Sequence, residues 1–331
     1  MRTCLERRWY EARPPMAVLR PLACAYGAVA DARARRQRDA AESLPVPVVV
    51  VGNVAVGGTG KTPCVIWMVG ELRKLGREPG VLSRGYGGRG PFPCLVDRDM
   101  RAVRCGDEAA LIARRCGVPV ACAPDRVLAG RALLAAHRDV DVLVCDDGLQ
   151  HYRLRRDLEL CVVDGARGFG NGWRLPAGPL REPASRAHEC AVQLVNGADA
   201  APYGPHALRF DLRGECAQNL DSAERRSLES FADAPVCAVA GIGHPERFFT
   251  ALRQAGLRPR VRAFADHHRY RARDFAFAGD APVLMTEKDA VKCEGLAPGK
   301  LWMVPVDARF APAAAARVVE LLDRLPRPRA R

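Results

Sequence analysis

The feature that most constrains this chain is an apolar, β-branched run that ends abruptly in glycines and a lysine. Val46–Gly52 reads VPVVVVG, and Ala55-Val56-Gly57-Gly58-Thr59-Gly60-Lys61-Thr62 follows within three residues. A continuous run of this kind suits a strand buried on both faces, which places it inside a mostly parallel sheet covered by helices. The glycines give the backbone the freedom to wrap an anion. A helix is expected from about Pro63 to Leu75, with Gly76 as its stop. Its N-terminus would face the anion, and proline suits a first helical turn.

The octapeptide approximates the phosphate loop G-x-x-x-x-G-K-[ST], with Ala55 in place of the first glycine. Lys61 would reach the β- and γ-phosphates of a nucleotide, and the Thr62 hydroxyl would ligate Mg²⁺. Only five of the 51 basic residues are lysines (Lys61, Lys74, Lys288, Lys292 and Lys300), so a lysine inside a motif carries weight here. A phosphate loop needs a second magnesium anchor on a neighbouring strand. DVLVCDDG supplies one, an apolar strand over Asp141–Cys145 that ends in Asp146 and Asp147. Ligands bind at such strand ends in open α/β sheets. The sequence leaves open which aspartate touches the metal.

Strands are further expected at Gly80–Ser83, Leu158–Val163 and Val192–Val195, with a helix over Glu108–Arg115. This alternation predicts an α/β, P-loop NTPase-like, doubly wound and mostly parallel sheet. A polar segment near 215–232 predicts a boundary. Beyond it short strands at Val236–Ala240, Val261–Phe264, Val283–Met285 and Leu301–Val304, with helices at Pro245–Ala255 and Pro312–Leu325, predict a second, smaller α/β domain. Three units are expected: an N-terminal helical segment over 1–43, a kinase-like domain over 44–222 and a C-terminal domain over 223–326. The final RLPRPRAR is expected to fray.

The chain has 331 residues and a formal net charge of +13, which favours anionic partners without choosing among them. Its 13 cysteines include no C-x-x-C pair, so neither a disulfide framework nor a zinc ribbon is expected. Residues 1–43 hold nine arginines against five acids, with an apolar stretch from Met16 to Ala30. This segment predicts either an interfacial amphipathic helix or a helix packed on the protein's own core. No run is long enough to span a bilayer.

Four further segments carry candidate chemistry. In Gly106-Asp107-Glu108, Asp107 is either a helix N-cap or a carboxylate base for a hydroxyl nucleophile. In the DHH segment, His267 or His268 could act near neutral pH or orient a carboxylate. Leu175–Pro183 (LPAGPLREP) is a rigid loop whose Arg181 could hold a phosphate, and Ser83–Gly88 (SRGYGG) is a flexible basic loop. Thr286–Lys292 (TEKDAVK) predicts a helix capped by Thr286, with no assigned role.

The ordered set GNVAVGGTGKTP, SRGYGG, GDEA, DDGLQH, LPAGPLREP, DHH and TEKDAVK strongly resembles the tetraacyldisaccharide 4′-kinase family, from about residue 10 to 325. The resemblance implies transfer of the γ-phosphoryl of ATP, with Mg²⁺, to the 4′-hydroxyl of tetraacyldisaccharide 1-phosphate, giving lipid IVA. It implies a peripheral enzyme at the cytoplasmic face of the inner membrane of a Gram-negative bacterium, docked by its N-terminal helix, with no nucleic-acid partner. It places the ATP loop on Ala55–Thr62, the catalytic aspartate on Asp107 and its partner histidine on His267. The magnesium-associated aspartates fall on Asp146 and Asp147. Substrate-side or supporting roles fall on Tyr86, Gln150, His151, Arg181 and Glu182. Leu149 stands where the family pattern has an aromatic, a change of local packing. Two other classes would leave different signatures. A partitioning ATPase would hydrolyse ATP without a lipid acceptor. A nucleic-acid-binding protein would show salt-dependent affinity for DNA or RNA, but its arginines would need stacking partners that 6% aromatics scarcely provide.

Overall fold

Helix α1 (Cys4–Tyr10) and the longer α2 (Arg20–Asp39) precede the first strand in a computed structural model that describes residues 4–11 and 14–327. Strand β1 (Val48–Gly52) leads through the glycine turn into α3 (Lys61–Lys74). There follow β2 (Pro79–Ser83), β3 (Cys94–Leu95), α4 (Ala102–Cys105), α5 (Asp107–Cys116), β4 (Val120–Cys122), α6 (Arg126–Ala136) and β5 (Val142–Asp146). Next come β6 (Leu158–Asp164), α7 (Ser185–His188), β7 (Val192–Asn196) and β8 (Ala207–Arg213).

The second sheet is built from β9 (Cys216–Asn219), β10 (Arg225–Ser227), β11 (Cys237–Ala240), α8 (Pro245–Gln254), β12 (Arg260–Ala263), β13 (Val283–Thr286), α9 (Glu287–Ala290) and β14 (Leu301–Val304). The chain then returns to the first sheet with β15 (Asp307–Phe310) and α10 (Pro312–Asp323). Strand order is β15-β8-β7-β6-β1-β5-β2-β4-β3 in the nine-stranded sheet and β10-β9-β14-β13-β11-β12 in the six-stranded one. The large sheet is parallel except for β15 on β8 and β3 on β4, at its two edges.

β1 lies between β5 and β6, in register Val50↔Cys145 and Val50↔Glu159, and all five of its residues are buried. This is why its sequence has no polar alternation. Helices cover both faces. Val49 and Val51 pack with Val65, Met68 and Leu72 of α3, whereas Val48 and Val50 pack with Val127 and Leu133 of α6.

The sheets divide the chain differently from the expected 44–222 and 223–326. The polar segment near 215–232 is not a linker. It supplies β9 and β10, antiparallel strands at the edge of the second sheet, and β10 is fully exposed. An edge strand with one side in water needs no apolar run, so hydropathy hides it. The C-terminal helix α10 packs on α3 and β8, with Val318 and Leu322 in the same core as Val69 and Leu72. Two chain crossings therefore join the sheets, one after β8 and one before β15. Of the expected frayed tail, residues 328–331 lie outside the described residues.

Candidate active site

The phosphate loop runs from the end of β1 to the start of α3. Gly60 is the N-cap of α3 with φ of 98°, a left-handed conformation that suits glycine, and Pro63 sits in the first helical turn. Asn196, at the end of β7, donates to the Thr59 carbonyl at 3.0 Å and anchors the loop from the side. The missing first glycine has a structural reason. Ala55 is not among the positive-φ residues; it forms an antiparallel bridge with Leu180. The LPAGPLREP loop thus splints the start of the phosphate loop, through Val56 N to Pro179 O (2.9 Å) and Arg181 N to Val54 O (2.7 Å). An extended residue has no need of glycine there.

Lys61 Nζ lies 3.4 Å from Asp147 Oδ1 and 3.3 Å from Asn53 Oδ1. Asp147 also accepts from Arg181 at 3.1 and 3.2 Å. Burial disfavours its charge, but Lys61 and Arg181 prevail and hold its carboxyl well below the usual range. Asp146 is in the opposite condition. Its Oδ1 is buried with no hydrogen-bond partner among the described residues, and burial, with Glu108 nearby, pushes its pKa up to about 7. A buried, unpaired carboxylate oxygen beside a phosphate loop fits a cation ligand. No cluster of three or more metal-ligating side chains occurs among the described residues. Mg²⁺, commonly held by one or two carboxylates plus substrate phosphates, fits the Asp146 carboxylate beside the phosphate loop.

Asp107 is not the N-cap of α5. Gly106 takes that position with φ of 90°, and Asp107 is the first helical residue. Its carboxylate is turned instead to the second sheet's connections, where Oδ2 meets His267 Nδ1 at 3.0 Å. Burial favours the neutral acid, yet the His267 hydrogen bond and the charges of Lys292 and Lys288 outweigh it and hold Asp107 below its ordinary value. His267 has φ of 59° and Asp147 φ of 51°. Both are non-glycine residues in the left-handed region, a placement that clusters at functional sites. His268 points elsewhere, to Asp274 Oδ2 at 3.0 Å, with its ring stacked on Phe264.

The remaining expected residues divide. The Tyr86 ring lies 4.7 Å from that of His267, at the mouth of the site. Gln150, Arg181 and Glu182 form one network: Arg181 donates to Gln150 Oε1 (3.2 Å), and Gln150 donates to Glu182 Oε2 (2.6 Å). The Tyr152 hydroxyl closes it on Glu182. His151 is turned away from this network. Its Nε2 accepts from the Arg126 backbone N–H at 3.2 Å, at the start of α6. Burial, with Arg126 beside it, pushes its pKa down to about 4, so it is neutral at pH 7. Leu149 is fully buried against Gly52.

Sequence reasoning assigned no role to TEKDAVK, and the fold brings it to the Asp107–His267 pair. Thr286 caps α9, accepting from Asp289 N. Lys288 Nζ is 3.1 Å from Glu108 Oε1, and Lys292 Nζ is 3.5 Å from Asp107 Oδ2. The signal was the scarcity of lysine: three of five lysines meet at this cleft. Other groups bridge the cleft beside the phosphate loop. Arg247 pairs with Asp164, and Arg167 donates to Gly243 O at 3.4 Å.

A phosphate-loop motif, a neighbouring aspartate pair and an Asp–His couple from the connections of two sheets make a candidate site for phosphoryl transfer. The sequence profile described as tetraacyldisaccharide-1-P 4′-kinase matches residues 15–324. The chain belongs to this kinase family. It is 47% identical over 325 residues to the tetraacyldisaccharide 4′-kinase of Dechloromonas aromatica, covering 96% of this chain and 97% of the relative. It is 50% identical over 310 residues to that of Pseudomonas aeruginosa PAO1, covering 92% of each. Among solved structures it is similar to LpxK of Aquifex aeolicus in complex with ATP, with a TM-score of 0.78 and 25% identity over 93% of this chain and 98% of that one.

Proposed function

We propose that this chain moves the γ-phosphoryl group of ATP to the 4′-hydroxyl of a tetraacyldisaccharide 1-phosphate, giving lipid IVA, with Asp107 and His267 taking up the hydroxyl proton. The observation that carries the residue assignment is the 3.0 Å contact between these two side chains across the cleft. The backbone of Ala55–Thr62 and Lys61 hold the ATP phosphates, and Lys61 exchanges Asp147 for the γ-phosphate as nucleotide enters. Thr62 and Asp146, with Asp147 beside them, would hold Mg²⁺, which neutralises charge on the β- and γ-phosphate oxygens. Asp147 is already neutralised by Lys61 and Arg181, so Asp146 is the aspartate that lacks a cation.

In the step itself the 4′ O–H bond breaks, its oxygen bonds the γ-phosphorus, and the bond to the β-phosphate oxygen breaks to release ADP. The proton goes to Asp107, oriented by His267. A second route is favoured by one observation: Asp107 is held below its ordinary pKa and backs Nδ1 of the imidazole. That is the arrangement in which a histidine accepts the proton at Nε2 while the carboxylate steadies the charge that forms. Tyr86 borders the acceptor's path. Gln150, Arg181 and Glu182 brace the phosphate loop, and His151 braces α6.

The N-terminal segment docks the enzyme on the cytoplasmic face of the inner membrane. Met16, Val18, Leu22 and Val29 are exposed large apolar residues of one short stretch, flanked by arginines that suit anionic headgroups. No described helix is long and apolar enough to cross a membrane. Its inner side is tied to the first domain, by Arg174 to Asp31 at 3.0 Å and by Arg38 over the Tyr152 ring. Acyl chains stay in the bilayer in this arrangement while the sugar reaches ATP in water.

The test is transfer of label from γ-labelled ATP, with Mg²⁺, to purified tetraacyldisaccharide 1-phosphate in detergent micelles, for wild type and Asp107→Ala. Label on the lipid with wild type alone supports activity and site together. Equal labelling by both proteins removes Asp107 from the site. ATP hydrolysis without labelled lipid removes the kinase reading.

A further inference from the structure

We infer that Lys288 is a positioning residue that fixes the tautomer of His267, with the ring hydrogen on Nδ1 and the lone pair on Nε2. The inference rests on the proposed Asp107–His267 couple and adds what governs it.

Two contacts impose the same tautomer. Lys288 Nζ lies 3.4 Å from His267 Nε2. An ammonium group donates and cannot accept, so Nε2 must present a lone pair to it. Burial works against the charge on Lys288, but Glu108 and Asp266 outweigh burial and raise its pKa, so the ammonium form persists at neutral pH. On the other side of the ring, Nδ1 is 3.0 Å from Asp107 Oδ2. Asp107 is held ionised, and an ionised carboxylate only accepts, so Nδ1 must carry the hydrogen.

Lys288 is the cation that faces Nε2 among several carboxylates. Asp107 on α5 faces Nδ1, and Asp266 lies 3.9 Å from Nε2 on the histidine's own loop. Glu108, next to Asp107, is 3.1 Å from Lys288 Nζ. From α9, Lys288 opposes them directly, and Lys292 does so at 3.5 Å from Asp107 Oδ2. The remaining neighbour is the uncharged Tyr86 ring, with the Arg84 guanidinium on it. Lys288 therefore keeps the ring in its proton-accepting, Asp107-orienting form while the cleft is empty. Arrival of the sugar hydroxyl at Nε2 displaces an ammonium that Glu108 and Asp266 retain.

The direct test is ¹⁵N-histidine NMR of the ligand-free, full-length protein at neutral pH, with the His267 signals assigned by their loss in His267→Gln. The neutral Nδ1–H pattern is expected; the Nε2–H tautomer or an imidazolium overturns the inference. The second test repeats the measurement in two variants. Lys288→Met should lose the single Nδ1–H pattern, and Lys288→Arg, which keeps the cation, should restore it. An unchanged tautomer in Lys288→Met assigns Lys288 a merely structural role and overturns the inference. If Asp107→Ala and His267→Ala both retain full phosphate transfer, the proposed couple fails as catalytic machinery. The NMR result still decides the tautomer independently.

Discussion

His267 Nδ1 and Asp107 Oδ2 stand 3.0 Å apart although 160 positions separate them in the chain, and each lies on a connection of a different sheet. Neither domain holds both halves of the couple. Removing either should therefore lower kcat by about 10²- to 10⁴-fold, the range for loss of general-base assistance. The KM for ATP should change little, because the proposed phosphate site, Ala55–Thr62, is made by other residues. Steady-state kinetics of Asp107→Asn and His267→Gln, with both substrates varied, measure this split.

Asp146 predicts a pH-dependent stability in the metal-free, nucleotide-free protein. Its pKa is raised in the fold from the model-compound value of 3.8 to about 7. The native state then binds its proton more tightly than the unfolded state does, so this group costs stability as pH rises between those two values. The cost is complete above pH 7 and absent below pH 4. Asp146→Asn, which cannot ionise, should raise the ligand-free Tm at pH 8 and raise it much less at pH 5. The same variant should lose most phosphate transfer. Thermal denaturation at the two pH values, with EDTA present, checks the sign.

Ala55 predicts a nearly silent substitution in an otherwise sensitive loop. Because Ala55 is extended and bridged to Leu180, Ala55→Gly should leave ATP affinity within about twofold and lower stability by no more than ~1 kcal/mol, through unfolded-state entropy. Gly60→Ala, at φ of 98°, should instead impair ATP binding and stability together. Equilibrium nucleotide binding and denaturant melts distinguish the two.

The N-terminal apolar patch predicts a separation of functions. Replacing Val18, Leu22 and Val29 together by serine should weaken binding to anionic vesicles by about tenfold or more, since each apolar side chain contributes on the order of 1 kcal/mol when it enters the interface. The KM for lipid should rise, and ATP binding should be unchanged. Vesicle co-sedimentation beside nucleotide titration tests this, and equal vesicle binding by the triple variant would remove the docking role.

Some of this protein was legible in its sequence, and the reason is local. Val48–Gly52 is buried on both faces, so its side chains had to be apolar throughout. The phosphate loop needs glycine at φ values that other residues avoid, and a lysine at a set spacing from them. DVLVCDDG likewise joins a buried strand to the charge at its end. In each case one short stretch carries both the structural demand and the chemistry.

What the sequence could not settle depends on groups that meet only after folding. β10 and β15 are edge strands and β9 lies beside one, so no apolar run announced them, and α10 was assigned to the wrong sheet because its helical periodicity does not say which core it faces. Asp107 also reads as a helix cap in the sequence; the backbone places Gly106 at the cap, and the fold turns the Asp107 carboxylate to His267. Asp146 and Asp147 are chemically identical neighbours. Tertiary structure gives Lys61 and Arg181 to one and leaves the other buried with an unpaired oxygen. Lys288 and Lys292 had no role in the linear order, because their charges act through space on Glu108, Asp107 and His267, which reach them only on folding.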